Sequence, residues 1–564
     1  MLSSGRSTSA QRDNYGPLAA LFLSWGTYFV LFWPQLFYLS EAGDLIAGWR
    51  IIWADWALHL TQAHAFAFQP FIHVLDNNPI FAGSNIAYPF VTNWLSGMLI
   101  SAGTALDTAF VTPSIAFSLA LLFSLFIFGR VLTHSGWVAV LGISLFFLSG
   151  GLEFYYYLGD LAVEFSWEKV LYPPHHYTFL EEHGFYWKSI ILSSLIPQRA
   201  LLLGMPCMLL SLTYITARYQ TGFTGTSYRT LFTVGLATGF LAIIHTHSLL
   251  VLFLICCCLF ISDLKNYRFW LSFAFGVSCT ALPWLPFLLG DNTSGFMQFH
   301  PGWYGASEGD SPFIDWLWFW FKNWGLFFPL CLITLVLLFI RGGQFLGFGS
   351  GSDGKQQPLF LAFSLLFVLA NVFQFQPYLW DNTKILLWAH LGLSFLVAQL
   401  VARIFNKGYP AKVIASTMVM LMVFSGLIDL VKSLHVERES HTMVSSGQIE
   451  LARQLRDLSD PTDIILTPDY HLHFITTISG RGVLMGYRGW LWSYNIDYAE
   501  RERDIKAIYS GATNTNALLQ KYAIEYIVVD ELAVRDFSAN RAYFESNFAT
   551  VLSNREATIY RVDD

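Results

Sequence analysis

An acidic residue in a strongly apolar context is the first side chain of this sequence that could do chemistry. Asp55 lies in WADWALHLTQAH (residues 53–64), shortly after a membrane-length apolar segment. If this stretch is helical, Asp55, His59 and Gln62 fall on one face, because residues four and seven apart lie one above the other. A carboxylate placed there could activate a hydroxyl group. The alternative is an interfacial helix whose Trp and His residues lie among the lipid headgroups, with Asp55 solvated.

Two cationic residues at the edges of apolar segments could hold a phosphate. Arg199 begins RALLLGMP, where its guanidinium could bind a phosphate through two hydrogen bonds or could merely snorkel to the interface. Lys384 ends the segment WDNTK, and its spacing from Asp381 allows an ion pair that still presents a cation to a lipid headgroup. The alternative for this segment is a helix cap formed by Asp381 or Asn382.

Histidine and cysteine residues are the side chains of this sequence that could bind a transition metal. His245 and His247 lie between two short apolar segments, in IIHTHSLL. The stretch YPPHHYTFLEEHGFYW contains three histidines, but their spacing matches no standard metal site, and a solvated aromatic-lined loop is favoured. All six cysteines lie in apolar segments without CxxC spacing, so that neither a disulfide framework nor a thiolate metal site is predicted.

The composition indicates a polytopic membrane protein. The chain is 54% hydrophobic and 17% aromatic but only 13% charged, whereas globular domains carry about 25% charged residues. The net charge of −7 and the lack of a basic block argue against nucleic acid as a partner. About eleven spans are predicted, near residues 17–39, 111–131, 136–152, 197–217, 229–246, 248–263, 268–289, 325–341, 358–374, 384–404 and 411–432.

The distribution of charge predicts the orientation of these spans. A polar arm, residues 1–16, precedes an apolar run that is too long for the core of a signal peptide. Placing this arm in the cytoplasm puts most Lys and Arg residues in inner connections, as the positive-inside rule requires. The piece from Trp94 to Ala105 is too short to cross and is predicted to be re-entrant or interfacial. The predicted outer connections are residues 40–110, 153–196, 290–324 and 375–383.

The tail, residues 436–564, changes character and is predicted to form an extracytoplasmic α/β domain. SGQIELARQLRDLSD indicates an amphipathic helix, DIILTP a short strand, and NALLQKYAIEYIVVDE a helix followed by a buried strand. ATVLSNREATIYRV indicates a closing hairpin. Helices that alternate with strands in this way are typical of a small α/β domain. The segment GRGVLMGYRGWLWSYN (480–495) is predicted to be a loop that packs on the membrane part, with a carbohydrate-facing loop as the alternative.

This topology gathers the candidate residues at one membrane surface, although they come from separate segments. Independent caps and snorkelling side chains would not need to share a side. We therefore predict one outer pocket, in which cations hold a lipid phosphate while an acid activates a hydroxyl group. The predicted catalytic residue is Asp55, and the predicted substrate-binding residues are His59, Arg199, His245, His247, Asp381 and Lys384.

These features resemble the GT-C superfamily of membrane glycosyltransferases. The resemblance rests on an acid soon after the first span, YP and NP turns that follow it, about eleven spans, the late WDNTK segment and an outer C-terminal domain. It implies transfer of a hexose or pentose from a polyprenyl- or dolichyl-phosphate donor to a glycan, lipid or protein acceptor in the plasma or inner membrane of the cell envelope. Asp55 corresponds to the first-loop aspartate that acts as general base, and Arg199 and Lys384 correspond to the cations around the donor phosphate. Inversion at the anomeric carbon is implied.

One departure from the family pattern concerns the metal. Many relatives carry a pair of acids in the first loop, whereas here Trp56 follows Asp55. A divalent metal therefore lacks a supporting ligand motif, and no cofactor is predicted. Two other classes stay open, namely a transporter or flippase for a lipid-linked glycan, with polar residues near the bilayer midplane, and a non-catalytic membrane receptor.

Overall fold

The computed structural model describes residues 15–288, 297–306, 311–340 and 355–562. Most of the predicted arm 1–16 lies outside the described residues, as do residues 289–296, 307–310 and 341–354 of the predicted connections. The helices are, in chain order, α1 (Tyr15–Leu36), α2 (Arg50–Phe68), α3 (Phe71–Asp76), α4 (Val91–Ser101), α5 (Leu106–Thr133), α6 (Gly136–Phe147), α7 (Phe154–Val163), α8 (Trp167–Leu171), α9 (Arg199–Gln220), α10 (Tyr228–Gly239), α11 (Leu241–Ile244), α12 (Thr246–Ser262), α13 (Tyr267–Ala281), α14 (Leu285–Leu288), α15 (Pro312–Trp324), α16 (Phe327–Ile340), α17 (Gln357–Val372), α18 (Thr383–Phe405), α19 (Tyr409–Ser433), α20 (Ser446–Leu458), α21 (Arg488–Ser493), α22 (Ala499–Ser510), α23 (Thr515–Lys521), α24 (Glu531–Phe537) and α25 (Arg541–Asn547). The strands are β1 (Phe37–Leu39), β2 (Leu45–Ala47), β3 (Gln298–Phe299), β4 (Phe373–Gln374), β5 (His441–Val444), β6 (Ile464–Leu466), β7 (Gly482–Val483), β8 (Ile524–Asp530), β9 (Ala549–Ser553) and β10 (Ala557–Arg561).

The apolar helices agree with the predicted membrane segments. Among the described residues, 6 helices are long and apolar enough to cross a membrane, or 7 if the pair α15 and α16, bent by 107°, is one span. Shorter apolar helices include α6, α12 and α17, and a fourth runs over Tyr228–Ile244. Each of the eleven predicted segments is therefore helical, as expected of an integral membrane protein. Length and composition identify only six or seven of them as spans, so that the count of eleven stays a prediction.

Helix α18 lies at the centre of these apolar helices. It is almost wholly buried and packs against α6, α17 and α19. Elsewhere, α10 and α13 cross at Gly235 and Gly276, where a Cβ added to either glycine would lie 2.3 Å from a carbonyl oxygen of the other helix. Small residues permit such close crossings, and tight van der Waals packing is the main source of helix association in a membrane.

The chain divides into two compact units. The helical unit comprises Met1–Phe32, Ile115–Leu282 and Phe296–His435, and the mixed unit comprises Trp33–Ser114, Pro283–Gly295 and Val436–Asp564. The boundary at residue 436 agrees with the predicted start of the tail. The first predicted outer loop, however, belongs to the same unit as the tail and not to the helical unit. The extracytoplasmic position of the tail stays a prediction.

The mixed unit contains a five-stranded sheet in the order β7-β6-β8-β10-β9. Strand β6 runs parallel to β7 and β8, whereas β10 is antiparallel to β8 and to β9. The predicted closing hairpin is thus confirmed. The predicted helix α20 is also confirmed, and it begins with a capping box in which Ser445 and Gln448 bond each other's backbone. First-loop residues Leu58, Ile80 and Phe81 complete the apolar core of this unit.

The segment 480–495 differs from the predicted loop. It forms strand β7 and helix α21, because the apolar run VLM is buried and its backbone is paired on both sides. Val483 N donates to Pro79 O at 3.0 Å, and Gly486 N donates to Ile80 O at 2.7 Å. The prediction of an irregular loop was therefore wrong. The segment binds the first-loop residues of its own unit.

Candidate functional site

The seven predicted site residues fall into two groups, one in each unit. Asp55 and His59 belong to the mixed unit, whereas Arg199, His245, His247, Asp381 and Lys384 belong to the helical unit. Each group is described within its own unit. The single pocket that would join them stays a prediction.

Lys384 and Asp381 form an ion pair at the start of α18. Lys384 Nζ lies 3.1 Å from Asp381 Oδ1, and about four fifths of each side chain is buried. No side-chain cap bond forms at the first turn of α18. Asn382 instead donates to the carbonyl oxygens of Ala370 and Phe373 at 2.8 and 2.7 Å. The cap alternative is therefore wrong, because these side chains bind each other or the preceding loop.

His245 lies at the break between α11 and α12. Its Nδ1 accepts the backbone N–H of Ser248 at 3.2 Å and lies 2.8 Å from the Ser248 hydroxyl, so the imidazole caps α12. The ring packs on α9 at Gly204, where an added Cβ would lie 2.4 Å from His245 Cβ. A side chain at position 204 would thus displace the histidine. The sequence contained this cap only as a His directly before a helix.

His247 connects this break to the segment before α18. Gln376 Nε2 lies 2.9 Å from His247 Nε2, and because an amide nitrogen only donates, the imidazole nitrogen accepts. The ring centroids of His245 and His247 are 5.5 Å apart. Gln376 lies eight residues before Lys384, and α12 packs against α18. The structure therefore brings His245 and His247 to the region where α18 begins, and a shared site with Lys384 stays a prediction.

Arg199 is the first residue of α9 and is fully buried. A snorkelling side chain keeps its head group exposed, so that alternative is wrong. Gly204, which contacts His245, follows five residues later, a helical rise of about 7.5 Å. The guanidinium and the backbone N–H groups of a helix N-terminus both attract anions. Arg199 therefore adds positive potential within about two helical turns of the histidine pair.

Lys188 is a cation that the sequence analysis did not single out. Its Nζ lies 3.9 Å from the ring centroid of Phe179 and 4.4 Å from that of Trp380, the residue before Asp381. Trp380 packs near Trp303, whose indole N–H donates to Leu379 O at 2.9 Å. Such cation–π contacts hold an ammonium at a defined place. The only signal in the sequence was a lysine directly after the aromatic run FYW.

In the mixed unit, the predicted polar face of α2 is divided between surface and interior. The Asp55 side chain is exposed, whereas His59 and Gln62 are buried. Asn93 of α4 binds both buried residues, since its Oδ1 accepts from His59 Nδ1 at 3.0 Å and its Nδ2 donates to Gln62 Oε1 at 2.6 Å. His59 therefore joins α2 to α4, and its role in binding substrate stays a prediction.

Side chains from the tail hold the first turns of α2. The Trp53 ring meets the His471 imidazole edge to face, with centroids 4.5 Å apart, and His471 in turn lies 5.7 Å from the Tyr487 ring. Burial lowers the pKa of His471, so this imidazole is neutral at neutral pH. Farther along α2, Gln69 Nε2 donates to Gly480 O at 2.8 Å. The tail thus positions the helix that carries Asp55.

Among the described residues, no group of three or more His, Cys, Asp or Glu side chains is arranged to hold a metal ion. Of the two acids in the predicted site, Asp55 is exposed on α2 and Asp381 is paired with Lys384.

Comparisons with known proteins complete this description. No known family model and no curated protein matches the chain. Among solved structures, the chain is similar to the archaeal oligosaccharyltransferase AglB from Archaeoglobus fulgidus, in complex with an inhibitory peptide and a dolichol-phosphate. The match covers 90% of this chain and 69% of the AglB chain, with 12% sequence identity and a TM-score of 0.42. The apo form of the Archaeoglobus fulgidus oligosaccharyltransferase is 12% identical and covers 92% and 70%, with a TM-score of 0.44.

Proposed function

We propose that this protein is a membrane glycosyltransferase of the GT-C type, which moves a sugar from a polyprenyl-phosphate donor to an acceptor hydroxyl group at the outer membrane surface. The observation that carries the proposal is the group of polar side chains that His245, His247 and Gln376 form among apolar helices, near the start of α18 where Lys384 lies. Polar and ionisable groups within apolar helices are costly, and they are kept where they bind a substrate or ion.

The donor phosphate is assigned to the helical unit. Lys384 supplies an ammonium group with three N–H donors, of which the contact with Asp381 Oδ1 uses one. Arg199 adds a planar guanidinium at the start of α9, suited to a phosphate. Such cations stabilise the negative charge that grows on a leaving phosphate, and they do so most strongly where water is excluded.

Asp55 is assigned the role of general base. Its carboxylate is exposed on α2 and can therefore reach an acceptor. It takes the proton of the acceptor hydroxyl group while the acceptor oxygen bonds to the anomeric carbon from the face opposite the phosphate. The bond between that carbon and the phosphate oxygen breaks, and its electron pair leaves with the lipid phosphate. One displacement of this kind inverts the anomeric configuration.

The proposal is tested by sugar transfer from a radiolabelled polyprenyl-phosphate sugar, with the purified protein in nanodiscs. Asp55→Asn is expected to lower kcat by about 100-fold or more, which is the usual contribution of a general base. Asp76→Asn, at the exposed end of α3 in the same predicted loop, is the matched control and should keep full activity. Equal activity of Asp55→Asn and Asp76→Asn would exclude Asp55 as the base.

A panel of glycan, lipid and peptide acceptors decides the acceptor class in the same assay. If the unmodified protein transfers sugar to none of them, the enzyme assignment fails. Movement of a fluorescent lipid-linked glycan across proteoliposome membranes would then support a flippase. A receptor would show neither transfer nor movement.

A further inference from the structure

A cavity lies in the helical unit, where α5 and α9 end. Its volume is about 500 Å³. One half of its lining is apolar and the other half is polar or basic, so the cavity is amphipathic. The lining residues are Phe126, Ile127, Arg130, Val131, His134, Ala217, Gln220 and Thr221.

This cavity is separate from the proposed donor site. Arg199 begins α9 and Gln220 ends it, so the two sites lie at opposite ends of a helix about 33 Å long. The charge distribution of the sequence predicts that the α9 end with Gln220 faces the cytoplasm, because Arg130, Arg218 and Arg229 all lie there. The cavity thus occupies the membrane edge opposite to the predicted site of transfer.

Two buried nitrogens of the cavity lining have unused hydrogen-bonding capacity. Within the part of the chain that the structure describes, neither Arg130 Nε nor Gln220 Nε2 has a hydrogen-bond partner. Both atoms are donors, and a buried donor without an acceptor costs free energy. Both atoms are covered by protein, so an anion in the cavity would bind Arg130 through the other N–H groups of its guanidinium. A guanidinium is well suited to a phosphate because its N–H groups can bind two oxygens at once.

Neighbouring side chains add a second cation near the cavity and hold its histidine in place. Lys355 Nζ donates to Tyr219 O at 2.7 Å, next to Gln220, and adds a second cation. Gln356, which is fully buried, donates to His134 Nε2 at 3.1 Å and holds the imidazole at the cavity edge.

We propose that this cavity binds the headgroup of an anionic phospholipid of the cytoplasmic leaflet. The phosphate diester would bind the guanidinium of Arg130, and the first methylenes of the acyl chains would lie along Phe126, Ile127 and Val131. A basic pocket between apolar helices at the cytoplasmic membrane edge has the properties of a lipid headgroup site. The apolar half distinguishes a lipid from free phosphate, since inorganic phosphate has no group that gains from it.

Lipid binding is tested with the full-length protein in neutral detergent, by titration with phosphatidylglycerol or phosphatidylcholine and detection by native mass spectrometry. The unmodified protein should bind phosphatidylglycerol about tenfold more tightly than phosphatidylcholine. Arg130→Gln should weaken phosphatidylglycerol binding about tenfold, because one charge-assisted hydrogen-bonding group is lost. Arg229→Gln removes an exposed arginine of α10 that does not line the cavity, and it should leave binding unchanged.

A second variant keeps every charge. Ala217→Phe places a ring in the cavity and should abolish the preference for phosphatidylglycerol, even if Arg130→Gln proves unstable. Equal losses in Arg130→Gln and Arg229→Gln would indicate diffuse surface attraction and overturn the proposal. Displacement of the lipid by equimolar inorganic phosphate would assign the site to a soluble anion and also overturn it.

Discussion

Lys384 and Asp381 lie three residues apart and form an ion pair of 3.1 Å at the first turn of α18. Both side chains are largely buried, so the removal of one partner leaves a charge with little solvent around it. In the segment just before α18, Gln376 donates to His247. This hydrogen bond joins the start of α18 to the break between α11 and α12, and we expect this junction to be the most sensitive point of the helical unit.

The variant Lys384→Gln tests the assignment of this junction to the donor phosphate. We expect kcat for sugar transfer to fall by about 100-fold or more, because one group that stabilises the leaving phosphate is lost. Lys169→Gln is the matched control, since Lys169 pairs with the exposed Glu164 and should not affect transfer. A normal kcat in Lys384→Gln would remove this lysine from the donor site.

The variant Asn93→Ala tests the contact between α2 and α4. It leaves His59 Nδ1–H and Gln62 Oε1 buried without their partner, and we expect the free energy of unfolding to fall by about 1–3 kcal/mol. Thermal unfolding followed by tryptophan fluorescence measures this change. Asn77→Ala, at the end of α3 on the weaker contact with His73 of 3.4 Å, is the control and should have less than half the effect.

The variant Gly204→Ala tests the packing of His245 on α9. The added Cβ would lie 2.4 Å from His245 Cβ, so either the histidine or the helix must move. We expect a loss of about 1–3 kcal/mol in stability, as in other overpacked sites. In α7, Gly159→Ala is the matched control, because its Cβ would meet nothing within 4 Å and alanine favours the helix. Similar melting temperatures for the two variants would contradict this account of the α9 contact.

The pair His473 and Asp530 predicts how the mixed unit responds to acid. His473 Nε2 lies 3.3 Å from Asp530 Oδ2. Burial raises the pKa of Asp530, but the nearby imidazole and the backbone N–H donors, including Ala533 N, together hold this pKa below its usual value. A carboxyl group with a lowered pKa stabilises the fold above its unfolded pKa, about 3.9, and this contribution is lost as the pH falls through the folded value.

We therefore expect Asp530→Asn to destabilise the protein at pH 7 by about 1–3 kcal/mol, and this difference should shrink as the pH falls below about 4. Asn keeps an oxygen that can accept from Ala533 N, so the cap of α24 is preserved. Urea unfolding at several pH values gives the comparison. A difference that does not change between pH 7 and pH 3 would show that the Asp530 charge has no part in stability.

Local features could be predicted because they depend on neighbours in the sequence. The apolar segments are helices since their length and composition satisfy the backbone within one segment. The pairing of Lys384 with Asp381 follows from helical spacing, and α20 follows from its capping residues and apolar stripe. His59, by contrast, was assigned from polarity alone, and polarity does not distinguish a residue that binds a substrate from one that joins two helices.

By itself, therefore, the sequence determined the apolar helices, the tail strands β6, β8, β9 and β10, and the ion pair at α18, because periodicity and spacing act over a few residues. Only the tertiary structure decided that Gln376 binds His247, that Lys188 lies over Trp380, and that first-loop residues complete the core of the tail. These contacts join residues far apart in the chain. They depend on how helices and sheet pack in three dimensions, and a single sequence carries no local signal for that.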